Sequence, residues 1–227
     1  MRWSVMVFAA GFGTRMQHLT REKPKPLIEV GGKPLIDHAL DLTDALPASQ
    51  TVVNLHYKAD QLLEHLADRP VRTIVEAPDI LETGGGLRNA LPLLEATTVM
   101  TLNADVLWSG PNPLQQLAAE WDPACMDGLL MCIPRDRAFG YTGSGDFKLD
   151  AKGCVSRGPG VVFGCAQIIK TDRLNEIADA AFSLNVLWDL LMAENRLYAT
   201  EFAGRWCDVG RPDVIPLAQE MLAARHV

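Results

Sequence analysis

No cysteine pair in this chain has C-x-x-C spacing, and the cysteines number five, an odd count. A fully paired disulfide framework and a zinc site of the usual spacing are therefore excluded, and reduced thiols of a cytoplasmic protein are expected. No apolar run approaches the roughly 20 residues that cross a bilayer. The apolar run near the N-terminus is shorter than the core of a secretory leader and enters a glycine turn directly. A membrane partner is therefore not expected. A basic tract is also missing, and the net charge is -7. Without an electrostatic footprint for a polyanion, a general nucleic-acid partner is not expected either. Nothing repeats, and nothing demands a second subunit, so a monomer or a weak homo-oligomer is expected.

What is present is an ordinary globular composition: 227 residues, 48% hydrophobic and 22% charged. That length suits one substantial domain, 1–227. Strand-like apolar runs fall at 4–9, 51–55, 72–76, 97–103 and 128–133. Helical patterns fall between them near 35–46, 59–68, 84–94 and 113–121. Such alternation, with continuous apolar strands, implies an α/β fold of three layers: a mostly parallel central sheet with helices on both faces. After about residue 135 the rhythm breaks. Turn-rich sequence at 140–147 leads to strands at 148–150 and 160–169, helices at 171–180 and 184–194, a strand at 197–202 and a closing helix. The expected division is a nucleotide-binding half, 1–135, and a sugar-binding half, 136–227.

The strand Val5–Ala9 runs into Ala10-Gly11-Phe12-Gly13-Thr14-Arg15-Met16, and further on stands Lys23-Pro24-Lys25-Pro26-Leu27. A strand that ends in a glycine turn offers backbone N–H groups to an anion. Arg15 and Lys25 bring two cations to that mouth, and the flanking prolines restrict the backbone around Lys25. This reads as a phosphate site. The dinucleotide fingerprint G-x-G-x-x-G fails, because Met16 stands where its third glycine belongs. The nucleotide-hydrolase loop fails at Gly32-Lys33, with Leu27 in place of its first glycine and Pro34 in place of its hydroxyl.

Ala9 through Leu27 resembles the sugar-phosphate nucleotidylyltransferase signature A-A-G-x-G-T-R-M-x-x-L-T-x-x-x-P-K-P-L, with its spacing intact. His18 departs from the proline usual before the Leu-Thr pair. More narrowly, the chain is similar to the short uridylyltransferases that activate N-acetylmuramic acid 1-phosphate in cell-wall recycling. The resemblance implies a Rossmann-like nucleotidyltransferase fold with a small sugar-binding subregion. It also implies that a sugar 1-phosphate attacks the α-phosphorus of a nucleoside triphosphate and pyrophosphate leaves. Arg15 would hold the β- and γ-phosphates and Lys25 the α-phosphate and the incoming one; Ala9, Ala10, Gly11, Gly13 and Thr14 would bind nucleotide.

Triphosphate chemistry needs a hard divalent cation, usually Mg2+. Asp105 in Asn103-Ala104-Asp105 follows an apolar strand, and Asp208 stands in Trp206-Cys207-Asp208-Val209-Gly210. Both match the family's metal motifs, and Asp105 could alternatively cap a turn. The run Leu81-Glu82-Thr83-Gly84-Gly85-Gly86 occurs in the short uridylyltransferases. Gly84 and Gly85 are thus expected to turn backbone groups to a base, with Glu82 on ribose or favouring a helix dipole as a first-turn acid. Asp146 in Gly145-Asp146-Phe147 would bind sugar hydroxyls, with Gly164 beside it. Longer relatives carry a Glu-Lys-Pro triplet before that strand; here Val155-Ser156-Arg157-Gly158-Pro159 stands there. Arg157 either replaces the missing lysine or is a plain loop residue. The lactyl carboxylate of muramic acid would want a cation, and Arg135, Arg137, Lys148 and Arg157 are all candidates.

The expected activity is therefore Mg-dependent transfer, with UTP and N-acetylmuramic acid 1-phosphate as the leading pair. A mannose 1-phosphate guanylyltransferase, a cytidylyltransferase of choline phosphate type and a catalytically silent nucleotide-binding subunit are the alternatives. The silent subunit is disfavoured because Arg15, Lys25, Asp105 and Asp208 are all present.

Overall fold

The computed structural model describes residues 2–47 and 50–224; the ends of the expected 1–227 span lie outside them. The apolar runs form β1 (Ser4–Phe8), β2 (Gln50–Leu55), β3 (Val71–Val75), β4 (Thr98–Asn103), β5 (Gly128–Ile133), β6 (Val162–Lys170) and β7 (Leu197–Glu201). They build one sheet in the order β7-β5-β6-β4-β1-β2-β3. All neighbours pair in parallel except β6, which runs antiparallel to β4 and β5. Among the described residues six α-helices accompany it: α1 (Leu35–Asp44), α2 (Ala59–Leu66), α3 (Glu82–Leu94), α4 (Pro113–Glu120), α5 (Leu184–Ala193) and α6 (Ile215–Ala223).

The two-residue period of a strand explains the layering. Val5 and Val7 of β1 join α1, α2 and α4 in one apolar cluster through Ile36, Leu40, Leu62 and Leu114. Met6 between them points to the other face and packs with Leu87 and Leu94 of α3 and Leu187 and Leu191 of α5. Each such fully buried side chain contributes about 1.5–3 kcal/mol relative to exposure. Helix starts are signalled locally. Asn112 accepts the Leu114 N–H at 2.9 Å ahead of Pro113, and Ser183 accepts the Asn185 N–H at 3.2 Å. A third cluster sets α6, through Ala218 and Met221, behind Met16, Leu107, Cys207 and Val209.

Two parts of the structure differ from the sequence expectation. The helix expected at 171–180 is only a short 3-10 turn, Asp172–Glu176. The guanidinium of Arg88 collects the carbonyls of Leu174, Ile177, Asp179 and Ala180. Phe182 O accepts the N–H groups of Gly84 and Gly85 at 2.8 and 3.1 Å. Arg88 takes the Leu174 carbonyl, which a helix would have used, and these tertiary bonds hold the rest of the segment against α3. Secondly, Arg205–Asp208 is itself a strand, antiparallel to Val106–Ser109 and parallel to Ala138–Phe139, in a separate three-stranded sheet.

At the sheet edge away from the glycine turn, one carboxylate ties three strands together. Asp127 accepts Arg196 Nε and Nη2 at 3.0 and 2.9 Å and Lys170 Nζ at 2.6 Å. The Arg196 guanidinium, more than burial opposes it, holds the Asp127 carboxyl down to about 2, with Lys170 adding to the pull. A folded-state value below the unfolded 3.8 stabilises the fold above pH 4 and loses that contribution as pH falls towards 2. Asp127→Asn is expected to cost about 1 kcal/mol at pH 7, allowing for solvent screening. Urea midpoints of the two proteins should differ at pH 7 and converge only as the pH falls to about 2.

Candidate active site

The β1 and β4 strands lie side by side with Phe8 opposite Asn103, so the two loops that follow leave the same sheet edge. Ala104 N–H donates to Phe8 O at 3.1 Å and ties those loops at their origin. In the loop after β1, Gly13 has φ +63, and a β-carbon there would stand 2.8 Å from Lys25 Cβ. Only glycine allows that conformation and that approach together. Pro24 leads into a one-turn 3-10 helix, Lys25–Leu27, and buries Lys25 to 6% exposure. Its Nζ lies 2.6 Å from Asp105 Oδ2, 80 positions away in the chain.

The short strand Arg205–Asp208 brings the fourth charged group. Asp208 stands in register with Val106, and Val209 N–H donates to Asp105 O at 3.1 Å. A β-carbon on Gly210 would lie 3.2 Å from Asp208 Oδ1 and 3.3 Å from Arg15 Nη1. Arg15, Lys25, Asp105 and Asp208 thus meet in one crevice. The Asp208 carboxyl is raised above its ordinary value, first by burial and then by Asp105, against the pull of Lys25, Arg15 and Arg211. Two oxygen-donor carboxylates in one crevice, with Asp208 raised partly by Asp105, fit a hard divalent cation. Among the described residues no group of three His, Cys, Asp or Glu side chains converges, so such a cation would complete its shell with ligand oxygens and water.

Three cavities meet at Phe8. The phosphate crevice, 210 Å³, is lined by Ala9, Gly11, Gly13, Thr14, Arg15, Lys25 and Asp105. Nothing lies within 4 Å of where a Gly11 side chain would project, so that glycine leaves the crevice open. Beside it, 180 Å³ is enclosed by Ala10, Gly11, Asn54, Ile80, Glu82 and Thr83. Glu82 reaches it with φ +57, a conformation costly for a side-chain-bearing residue and concentrated at functional sites. Gly84 and Gly85 behave otherwise. They lie in the first turn of α3, their N–H groups taken by Phe182 O, and a β-carbon on Gly84 would strike the Phe182 ring at 2.3 Å. Their amides are thereby unavailable to a base, and their missing side chains serve helix packing.

The third cavity, 350 Å³, lies over the irregular pairing of β6, with Asp146, Phe147, Arg157, Phe163, Cys165 and Trp188 on its walls. Asp146 is aimed by Phe163 N–H at 2.8 Å and Tyr141 O–H at 3.3 Å. Gly164 is not on this wall. A side chain there would meet Trp108 at 2.8 Å, and its carbonyl accepts Trp206 Nε1. The strand alternation gives the pocket Phe163 and Cys165 instead. Burial, then Asp105, Asp208 and Asp146, pushes the Cys165 thiol well up, and burial pushes Cys207 up to about 12. Neither supplies a thiolate nucleophile.

Sequence reasoning missed Asn54 and Glu76. Asn54 Oδ1 accepts Ala9 N–H at 2.9 Å, and its Nδ2 donates to Glu76 Oε1 at 2.7 Å. Glu76 Oε2 accepts Leu81 N–H at 2.7 Å, so one buried acid joins the phosphate loop to the start of α3. Each is a single polar residue at a strand end, a signal too common to single out.

This geometry defines a site for nucleotidyl transfer between phosphates. The chain belongs to the family described as the MobA-like NTP transferase domain, whose model matches residues 5–141. It is 38% identical to the N-acetylmuramate alpha-1-phosphate uridylyltransferase of Caulobacter vibrioides, over 96% of each chain. It is 29% identical to the protein of the same name from Neisseria meningitidis serogroup B, over 96% of this chain and 98% of that one. The crystal structure of HddC from Yersinia pseudotuberculosis complexed with GMP-PN shares the fold, with TM-score 0.77 at 24% identity over 96% of this chain and 98% of that one. The protein is a nucleotidyltransferase enzyme of the sugar-phosphate type.

Removing the linking acid leaves Asn54 and Leu81 donors buried and unpaired. Glu76→Ala is expected to lower stability by about 2–4 kcal/mol. Urea unfolding would read this, and a change under about 0.5 kcal/mol would remove Glu76 from the scaffold of the site.

Proposed function

We propose that this enzyme transfers a uridylyl group from UTP to N-acetylmuramic acid 1-phosphate, forming the nucleotide sugar and pyrophosphate. The observation that carries the reading is the buried Lys25 held 2.6 Å from Asp105 at the mouth of a glycine-rich loop. The two full-length relatives carrying that activity in their names support the choice of substrates. Cell-wall recycling, a cytoplasmic location and action as a single unit, 1–227, belong to the same proposal. No described helix is long and apolar enough to cross a membrane.

In this reading Arg15 grips the β- and γ-phosphates bidentately, and Gly11, Gly13 and Thr14 line their path. Lys25 turns from Asp105 to the α-phosphate and the incoming sugar phosphate and draws the two together. An oxygen of the sugar phosphate, already an anion, forms the new bond to the α-phosphorus. The bond from that phosphorus to the bridging oxygen breaks, and pyrophosphate leaves with the electron pair. No general base is required, so the protein's contribution is alignment and charge. Asp105 and Asp208 would hold Mg2+, which when bound supplies charge neutralisation to the triphosphate. Asp146 binds sugar hydroxyls and Glu82 the ribose.

Pyrophosphate release with four nucleoside triphosphates and several sugar 1-phosphates tests the reading. UTP with N-acetylmuramic acid 1-phosphate should give the highest kcat/KM. Lys25→Met and Asp105→Asn should each lower kcat by about 100-fold or more. Preference for GTP with mannose 1-phosphate would establish the guanylyltransferase instead, and turnover with no pair would end the catalytic reading.

A further inference from the structure

We infer that Arg157 selects for a carboxylate carried on the sugar itself, away from its reacting phosphate. The inference rests on the sugar 1-phosphate reading above and adds to it a residue that reads the substrate class. Among the described residues Arg157 is the one cation on the walls of the 350 Å³ cavity. It lines neither the phosphate crevice nor the cavity beside Glu82, whereas Lys25 and Asp105 line the crevice. Its place is therefore at the far end of the sugar pocket, against α5. The other candidates, Arg135, Arg137 and Lys148, do not line this cavity, although Arg135 lies near enough to act on Tyr141. Arg137 donates to the carbonyls of Phe202 and Ala203, and the Lys148 stem packs beneath Gly158.

The guanidinium is mounted to receive an anion. Its carbon lies 5.0 Å from the Phe147 ring centre and 5.8 Å from that of Trp188. Two aromatic faces hold the plane while leaving its edges free to bond. Nε and Nη2 reach Asp189 Oδ1 at 3.1 and 2.8 Å, Nη2 also donates to Asn185 O at 3.5 Å, and no bond from Nη1 is found among the described residues. Asp189 is 62% exposed and belongs to the outer face of α5. A surface ion pair of this kind is weak and easily exchanged. The Arg157 side chain is 42% exposed, and a carboxylate arriving from inside the pocket can engage the fork with both of its oxygens, whereas Asp189 offers it only Oδ1. Asp189 thus serves as a stand-in that keeps the fork oriented between ligands. Asp146 supplies the complementary bias: a carboxylate placed near it would be repelled, so a sugar acid is accepted only in the orientation that gives its anion to Arg157.

Arg157 is thus a specificity-determining residue, and the test is a comparison of two sugars. Binding and turnover are measured with N-acetylmuramic acid 1-phosphate and with N-acetylglucosamine 1-phosphate, which lacks the lactyl carboxylate. In Arg157→Gln, KM for the former should rise at least tenfold while KM for the latter stays within twofold. Arg157→Lys, which keeps the charge and the stem without the fork, should recover part of the loss and carries the same comparison if the glutamine variant does not fold. Asp189→Asn should leave the preference intact. Equal weakening of both sugars would assign Arg157 to the phosphate and overturn the inference, as would unchanged KM for both. Failure of the wild type to bind either sugar would instead overturn the sugar 1-phosphate reading.

Discussion

The contact between Lys25 and Asp105 is the constraint on which the rest of the site depends. A lysine exposed to only 6% is costly unless an anion meets it, and Asp105 Oδ2 does so at 2.6 Å. The pair joins the loop after β1 to the loop after β4, which the sheet already places side by side. Asp208 then enters a region holding one carboxylate and two cations. Its raised carboxyl records the balance: burial and Asp105 outweigh Lys25, Arg15 and Arg211. A crevice in which each charge is only partly compensated by protein is set to exchange those partners for phosphate oxygens and a cation.

Much of this was legible in the residues, for a physical reason. Strands buried on both faces have to be continuously apolar, and β5, expected at 128–133, is Gly128–Ile133. The loop from Ala9 to Leu27 could be read because its glycines, prolines and cations each have few substitutes. The strand Arg205–Asp208 was hidden: four residues with a charged group at each end show no useful period, and a partner a hundred positions away supplies its ladder. The 171–180 segment was misread for the opposite reason. Its local pattern suits a helix, but Arg88 draws its carbonyls into tertiary bonds.

The two glycine clusters show why composition alone does not locate a ligand. Gly11 faces open space and Gly13 carries positive φ against Lys25. Both therefore shape a cavity. Gly84 and Gly85 are as glycine-rich, yet Phe182 and the Ala180 carbonyl occupy the space their side chains would take. A glycine run can admit a ligand's backbone-hungry edge or a neighbouring segment of its own chain, and the sequence is the same in both cases. What separates them is the destination of the amides, which is a tertiary property.

The same distinction bears on where specificity resides. The phosphate crevice is built from backbone, two cations and two carboxylates, parts that any sugar 1-phosphate and any triphosphate would engage alike. Discrimination must come from the cavity walls that contact what differs between substrates. In the cavity proposed for the sugar those walls are mostly neutral, with Asp146 and Arg157 as the ionised groups. Asp146 is fixed by Phe163 N–H and Tyr141 O–H, while Arg157 is braced by ring faces, an exposed acid and a long bond to Asn185 O. The rigid acid suits hydroxyls whose positions are constant around a pyranose. A braced but exchangeable guanidinium suits a substituent that swings on its own bonds, so under the proposed function the pocket would divide invariant and variable parts of the sugar between them.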